Sequence, residues 1–123
     1  MPSTAEDRDE ILQLMYRYNH LIDSGDASGW AATFTEDGVF DVAGQVRSGR
    51  DELTAFAASV RGFRHSVVNP VIDVTGDAAT VRAYFVVYKD AAILGTGSYA
   101  DELVRTPAGW RFAKRVSTPD ARP

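Results

Sequence analysis

Tyr16-Arg17-Tyr18-Asn19-His20-Leu21-Ile22-Asp23-Ser24-Gly25-Asp26 is the stretch on which the reading of this chain turns. Before it, Ile11, Leu14 and Met15 begin an apolar stripe. Tyr18, Leu21 and Ile22 continue that stripe at three- and four-residue steps, the period of an amphipathic helix. Gly25 ends the helix. Asp23 therefore falls in the last turn, where the helix macrodipole disfavours a negative charge. A carboxylate set against its own helix invites a search for a partner further along the chain. His20 falls on the face opposite the stripe and reads as an exposed histidine.

Outward from this stretch, Ser3 and Glu6 have the spacing of a capping box and mark the helix start. Asp26 can cap a second, short helix that carries Trp30, Ala31 and Phe34 inward. Asp37-Gly38 is a turn signal. Val39 to Val42, with Phe40, reads as a strand, and Gln45 to Arg47 returns along it as a short hairpin. A third helix runs from Arg50 to Val60 with Leu53, Phe56, Ala57 and Val60 on its buried side. The remainder is strands, at 63–74, 80–89, 93–105 and 110–116. Pro70 places an edge or a bulge inside the first of these. The second alternates Val81, Ala83, Phe85 and Val87 against Arg82, Tyr84, Val86 and Tyr88, and alternation leaves open which face is inside. Residues 117–123 read as a flexible tail. Helices segregated from an antiparallel meander make an α+β fold. Its sheet twists and curves around the long N-terminal helix into a cone with an interior pocket, a common place for a small ligand.

The chain has 123 residues, a size that suits one domain spanning 1–123. Its net charge is −4, with no extended basic run, which argues against nucleic acid or an anionic membrane as partner. It has no cysteine, so disulfides, thiol nucleophiles and thiolate metal sites are excluded. Its two histidines, His20 and His65, have no zinc-binding spacing, and no metal site is expected. The polar, acidic start of the chain is unlike a secretory signal, and no apolar run approaches a membrane span. The expectation is a soluble, cytoplasmic protein.

Four segments carry a resemblance: YNHLIDSGDASGWAATFTEDGVFD (18–41), GRDELTAF (49–56), FRHSVVNPVIDVTGDAATVRAYF (63–85) and GSYADELVRTPAGWRF (97–112). Together they resemble the SnoaL-like branch of the nuclear transport factor 2-like superfamily, a cone-shaped α+β fold. That fold hosts dehydratases, isomerases, cyclases, epoxide hydrolases and non-enzymes, so it does not by itself name an activity. Scytalone dehydratase and the bile acid 7α-dehydratases are the informative members. Their aspartate at the end of the first helix is matched by Asp23, and their histidine after the third helix by His65. A tyrosine of the bile acid enzymes is matched by Tyr18. Ile22 and Val42 stand where scytalone dehydratase has catalytic phenols. Tyr18 and Asp101 match the oxyanion-hole positions of ketosteroid isomerase, but Val42 replaces its base. Scytalone dehydratase also continues past its last strand into a segment that covers the pocket. Here only about seven residues follow Val116, so an open or partner-covered mouth is expected.

The resemblance implies a His–Asp acid/base pair, His65 with Asp23, in which the carboxylate orients the imidazole. Tyr18 would polarise a substrate carbonyl. The expected reaction is dehydration of a hydrophobic hydroxy-carbonyl without metal or organic cofactor. A cyclase, an epoxide hydrolase or a non-catalytic binding protein are the alternatives. Expected pocket residues are Trp30, Phe34, Phe40, Phe56, Asn69, Tyr84, Tyr88, Tyr99 and Asp101. Asn69 follows His65 by four and shares its face unless Pro70 makes a bulge. Asp41 reads as solvated, Arg82 and Arg105 as partners of acidic residues. A homodimer through the open sheet face is implied by the resemblance alone.

Overall fold

The computed structural model describes residues 3–121. Met1 and Pro2 of the polar start, and Arg122 and Pro123 of the expected tail, lie outside the described residues. Helix α1 spans Thr4–Ser24. Its capping box is formed: Ser3 Oγ accepts the Glu6 N–H at 3.1 Å and donates to the Glu6 carboxylate at 3.3 Å. Gly25 ends α1 in the left-handed region, φ 82°, where a side chain would be strained. Asp26 then caps α2, Ala27–Ala31, by accepting the Gly29 N–H at 2.9 Å.

Phe34 opens strand β1, Phe34–Val42, instead of closing the second helix. The Asp37-Gly38 signal is a register break inside that strand, between Phe34 and Val39, and not a turn between elements. β2 (Gln45–Ser48) pairs back on β1, α3 (Arg50–Ser59) crosses, and β3 (Arg64–Thr75), β4 (Ala78–Lys89), β5 (Ala92–Thr106) and β6 (Gly109–Pro119) form the meander. The strand order is β2-β1-β6-β5-β4-β3. The expected α+β architecture is present, with one refinement: the sheet is mixed, because β1 joins β6 in parallel. No local pattern could announce that pairing, which depends on α3 carrying the chain from one sheet edge to the other.

β6 also runs to Pro119, three residues past its expected end. Ser117 to Pro119 pair with Gly97 to Tyr99 and are not a frayed tail. Among the register shifts of the sheet, those in β3 and β6 bear on the site. In β3 the register shifts between Val68 and Val71, with Asn69 at φ 52°. Asn tolerates that backbone better than most residues, and Pro70 at this edge strand leaves no ladder donor unused. In β6 the shift opposite Glu102 and Leu103 skips Ala113.

The apolar stripe of α1 packs into the concave side of the sheet. Ile11, Leu14, Met15, Tyr18 and Ile22 are all buried there with Trp30, Phe34, Phe40, Trp110 and Phe112. Each such side chain contributes about 1.5–3 kcal/mol. The start of α1 is tied to the sheet by Asp7, which takes a two-pronged bond from Arg105 at 2.8 and 3.0 Å. The Trp110 indole N–H adds a third bond at 3.2 Å. These contacts, Arg105 first, hold the Asp7 carboxyl below the usual carboxylate range. Arg105 also binds Asp77 at 2.9 Å, as expected of a partner for acidic residues. No helix among the described residues is long and apolar enough to cross a membrane.

Candidate active site

Asp23 meets His65. The last turn of α1 and the start of β3 bring them together across 42 positions of sequence. One carboxylate oxygen, Oδ2, accepts the His65 backbone N–H at 3.0 Å. The other, Oδ1, lies 2.6 Å from the ring Nδ1. A carboxylate oxygen only accepts, so Nδ1 is the donor in this contact, and in the neutral ring Nε2 is the nitrogen left with a lone pair. The pair is half-buried, the side chains 17% exposed for His65 and 21% for Asp23. No basic residue stands in the last turn of α1, so His65 is the group that answers the carboxylate set against the helix dipole.

His65 is part of the wall of an interior cavity of about 540 Å³, inside the range for small-molecule sites. Trp30, Phe40, Phe56, Phe63, Phe85 and Val87 make most of its lining apolar. Tyr18, Tyr99 and Ser117 bring hydroxyls to it, and the better exposed Ile93, Thr96, Asp120 and Ala121 form the mouth. Asp120 is bound there by Thr96 through both backbone and side chain, each at 2.8 Å. The segment after Val116 thus takes part in the mouth, which was expected to be open or covered by a partner.

Phe85 stacks on Tyr99 with ring centroids 4.7 Å apart. That stack needs Gly97 opposite Phe85, because a Cβ there would come within 2.4 Å of the Phe85 ring. Behind the two phenols lies an ion pair that alternation along the last strand does not reveal. Arg115 binds Asp101 through Nε at 2.7 Å and Nη2 at 2.8 Å. Both side chains are sealed from solvent, at 1% and 0% exposure. The guanidinium lies over the Tyr99 ring at 3.6 Å and over Tyr18 at 4.5 Å. Burial pushes the Tyr18 and Tyr99 hydroxyls above the ordinary tyrosine range, and the Arg115 charge opposes that at both. Each therefore stays a protonated donor through neutral pH. For Arg115 burial works against the charge, but Asp101 wins and keeps the guanidinium protonated.

Of the expected site residues, Asp23 and His65 come together, and His65, Tyr18, Trp30, Phe40, Phe56 and Tyr99 line the cavity. The others do not. Phe34 is a core residue packed behind Trp30 and Tyr18. Asp101 is spent on Arg115 behind the phenols and is no oxyanion donor. Asn69 is exposed, because the β3 bulge breaks the alternation that would have placed it with His65. Tyr84 is on the outer face, 59% exposed. Tyr88 shares that face and borders a second depression with Asn19, His20, Asp23 and Lys89; His65 borders both this depression and the cavity, and Asp23 borders the depression alone. Asp41 is half-exposed and caps its turn by accepting the Gly44 N–H at 2.9 Å. Strict alternation from Trp110 would put Lys114 and Val116 inside; the bulge at Ala113 puts Arg115 and Ser117 there instead.

The SnoaL-like domain family matches residues 3–116. The chain belongs to this family. A solved structure of Rv3472, a protein of unknown function from Mycobacterium tuberculosis, is 38% identical, with 92% of this chain and 71% of that one covered and a TM-score of 0.85. An NTF2-like protein with a cystatin-like fold from Novosphingobium aromaticivorans is 31% identical over 94% of this chain and 82% of that one, at a TM-score of 0.87. A scytalone-dehydratase-like structure from the same organism is 25% identical over 93% of this chain and 84% of that one, at 0.80. SnoaL-like sequence and such neighbours point to small-molecule isomerase- or cyclase-type chemistry as the class of this site.

Proposed function

We propose that this SnoaL-like protein is a cofactor-independent lyase or isomerase that dehydrates a hydrophobic hydroxy-carbonyl compound. One observation carries the reading: His65 Nδ1 lies 2.6 Å from Asp23 Oδ1 at the wall of an apolar cavity. In the proposed reaction His65 Nε2 takes the proton from the carbon beside the carbonyl. The electron pair left behind moves into the carbonyl, whose oxygen is held by the Tyr18 hydroxyl. The imidazolium, steadied by Asp23, then gives its proton to the β-hydroxyl, which leaves as water as the double bond forms. No redox step is involved.

A non-catalytic binding role would have the cavity filled by its own side chains and His65 contacting backbone alone; the open volume and the side-chain pair both count against it. Epoxide hydrolysis by an Asp–Arg–Asp network is also disfavoured, since the Asp101–Arg115 pair does not line the cavity. Incubation with a panel of aromatic β-hydroxy ketones, followed by the absorbance of the conjugated product, tests the proposal. His65→Ala is expected to lower turnover about 10²–10⁴-fold, the usual worth of a general acid/base. Full activity in both His65→Ala and Asp23→Asn would sink it. A homodimer through the outer sheet face, where Tyr84 and Val71 are exposed, is part of the same proposal. A monomeric mass by sedimentation would remove that part.

A further inference from the structure

Away from the cavity, where the parallel β1–β6 pairing begins, three arginines approach one another. Arg50 opens α3, and its Nη2 donates to the Phe34 carbonyl at 3.3 Å. Phe34 pairs with Phe112. Arg111, the residue before Phe112, folds back so that its Nη1 donates to the Trp110 carbonyl at 2.7 Å. Two guanidiniums are thus anchored to the backbone on the two sides of one strand junction. Glu10 of α1 reaches the same place, where its carboxylate accepts the Trp110 N–H at 2.6 Å. Arg17 is exposed on α1, two helical turns beyond Glu10. Burial pulls the Arg111 guanidinium below the ordinary arginine range, and the Arg17 charge pulls it further; Glu10 opposes this and Arg50 adds to it.

None of the three arginines is in an ion pair among the described residues. The carboxylate at hand, Glu10, is engaged by a backbone N–H. Of the acids that begin α3, Glu52 accepts the Ser48 N–H at 2.9 Å and Asp51 is exposed. Arg50 Nε is buried without a hydrogen-bond partner among the described residues, so its guanidinium is only partly satisfied. Buried N–H donors are paired in the great majority of proteins. Three like charges drawn together repel unless an anion stands among them. A carboxylate brings one charge and two oxygens, and a single guanidinium can meet both. Guanidiniums arriving from α1, α3 and β6 suit a group with more oxygens and nearly two charges, as a phosphate has.

We propose that this notch between α1, α3 and the start of β6 is a binding site for a phosphate dianion, free or as a monoester, held by Arg17, Arg50 and Arg111. The guanidinium nitrogens that the backbone carbonyls leave uncommitted supply its hydrogen bonds. The site stands apart from the proposed reaction. None of the three arginines lines the cavity, and Arg111 lies eight residues along β6 from Pro119 at the cavity wall, roughly 25 Å of strand. A dianion bound here joins three elements of the folded chain and therefore stabilises it.

Calorimetric titration of the intact protein at neutral pH with inorganic phosphate, phenyl phosphate and acetate, at matched ionic strength, tests this without any turnover. One phosphate per chain is expected, bound about tenfold or more tighter than acetate, with a melting temperature that rises with phosphate and not with acetate. Phenyl phosphate that binds at least as well as the free ion assigns the site to a monoester, and its exclusion assigns the site to free phosphate; both outcomes support the site. Arg17→Gln is the decisive variant, because Arg17 is exposed and its loss leaves the fold intact. It and Arg111→Gln are each expected to lower phosphate affinity about tenfold or more, the scale of a hydrogen bond to a charged group. Glu10→Gln keeps an acceptor for the Trp110 N–H but removes the opposing charge, so it should tighten binding. Arg82→Gln, at an exposed position of β4, and His65→Ala should leave affinity unchanged. The proposal falls if phosphate and acetate bind alike. It falls too if Arg82→Gln weakens binding as much as Arg17→Gln, which would make the attraction one of net charge, or if His65→Ala abolishes binding, which would put the ion at the dyad.

Discussion

Asp23–His65 and Asp101–Arg115 are both carboxylates answered by nitrogen, at 2.6 and 2.7 Å; His65 borders the cavity, and Arg115 lies against the Tyr18 and Tyr99 rings that border it. They differ in burial and in the partner chosen. Asp23 sits at a helix end with solvent at one side and faces an imidazole, a ring that can both accept and donate a proton in acid/base chemistry. Asp101 sits in the middle of the sheet, sealed, and faces a guanidinium that does not give up its proton. The first pair can change protonation state during a reaction. The second is a fixed dipole under the phenols. Exposure lowers what a pair contributes to stability, while sealing raises the cost of breaking it. A proton carrier and a structural field thus come from the same pairing, separated by depth.

The largest expected effect comes from breaking the sealed pair. Arg115→Ala should cost about 3–5 kcal/mol in urea unfolding, because Asp101 would be left charged and unpaired. Wild-type stability in that variant would remove the contrast in depth. A smaller effect should appear at high pH. Burial raises the folded Tyr18 and Tyr99 hydroxyls above the ordinary tyrosine value of about 10. Their contribution to stability is therefore full below about pH 10 and is lost as pH rises through the folded values. Above that point wild-type stability should fall by up to about 1.4 kcal/mol per pH unit for each phenol, and Tyr18→Phe or Tyr99→Phe should flatten the fall. An unchanged alkaline profile in both variants would mean that the phenols are not sealed. The smallest effect belongs to the half-exposed pair. Asp23→Asn should cost about 0.5–1.5 kcal/mol, the net worth of an ordinary hydrogen bond, while lowering turnover. A loss as large as that of Arg115→Ala would show that the dyad is structural.

Much of the fold was legible because it is written in local patterns. The capping box at Ser3 and Glu6, the stripe from Ile11 to Ile22, the Gly25 stop and the Asp26 cap all appear as read. So do α3 and the hairpins of the meander. Asp23 was conspicuous as a charge against its dipole, and resemblance named His65 as its partner. Asn69 shows where such reading ends. One extra residue in β3 reverses the side-chain alternation, and the residue expected beside His65 faces solvent. The same event at Ala113 brings Arg115 inside, where an unbroken strand would have placed Lys114.

By itself, then, the sequence determined most of the elements and their caps, since these rest on spacings of three, four and two residues within single segments, while the candidate dyad came from the resemblance. Only the tertiary structure decided the parallel β1–β6 pairing, the face that Tyr84 and Tyr88 present, and the buried Arg115 beneath Tyr18 and Tyr99. Those depend on register between strands, and a one-residue shift in register changes every side chain beyond it from one face of the sheet to the other.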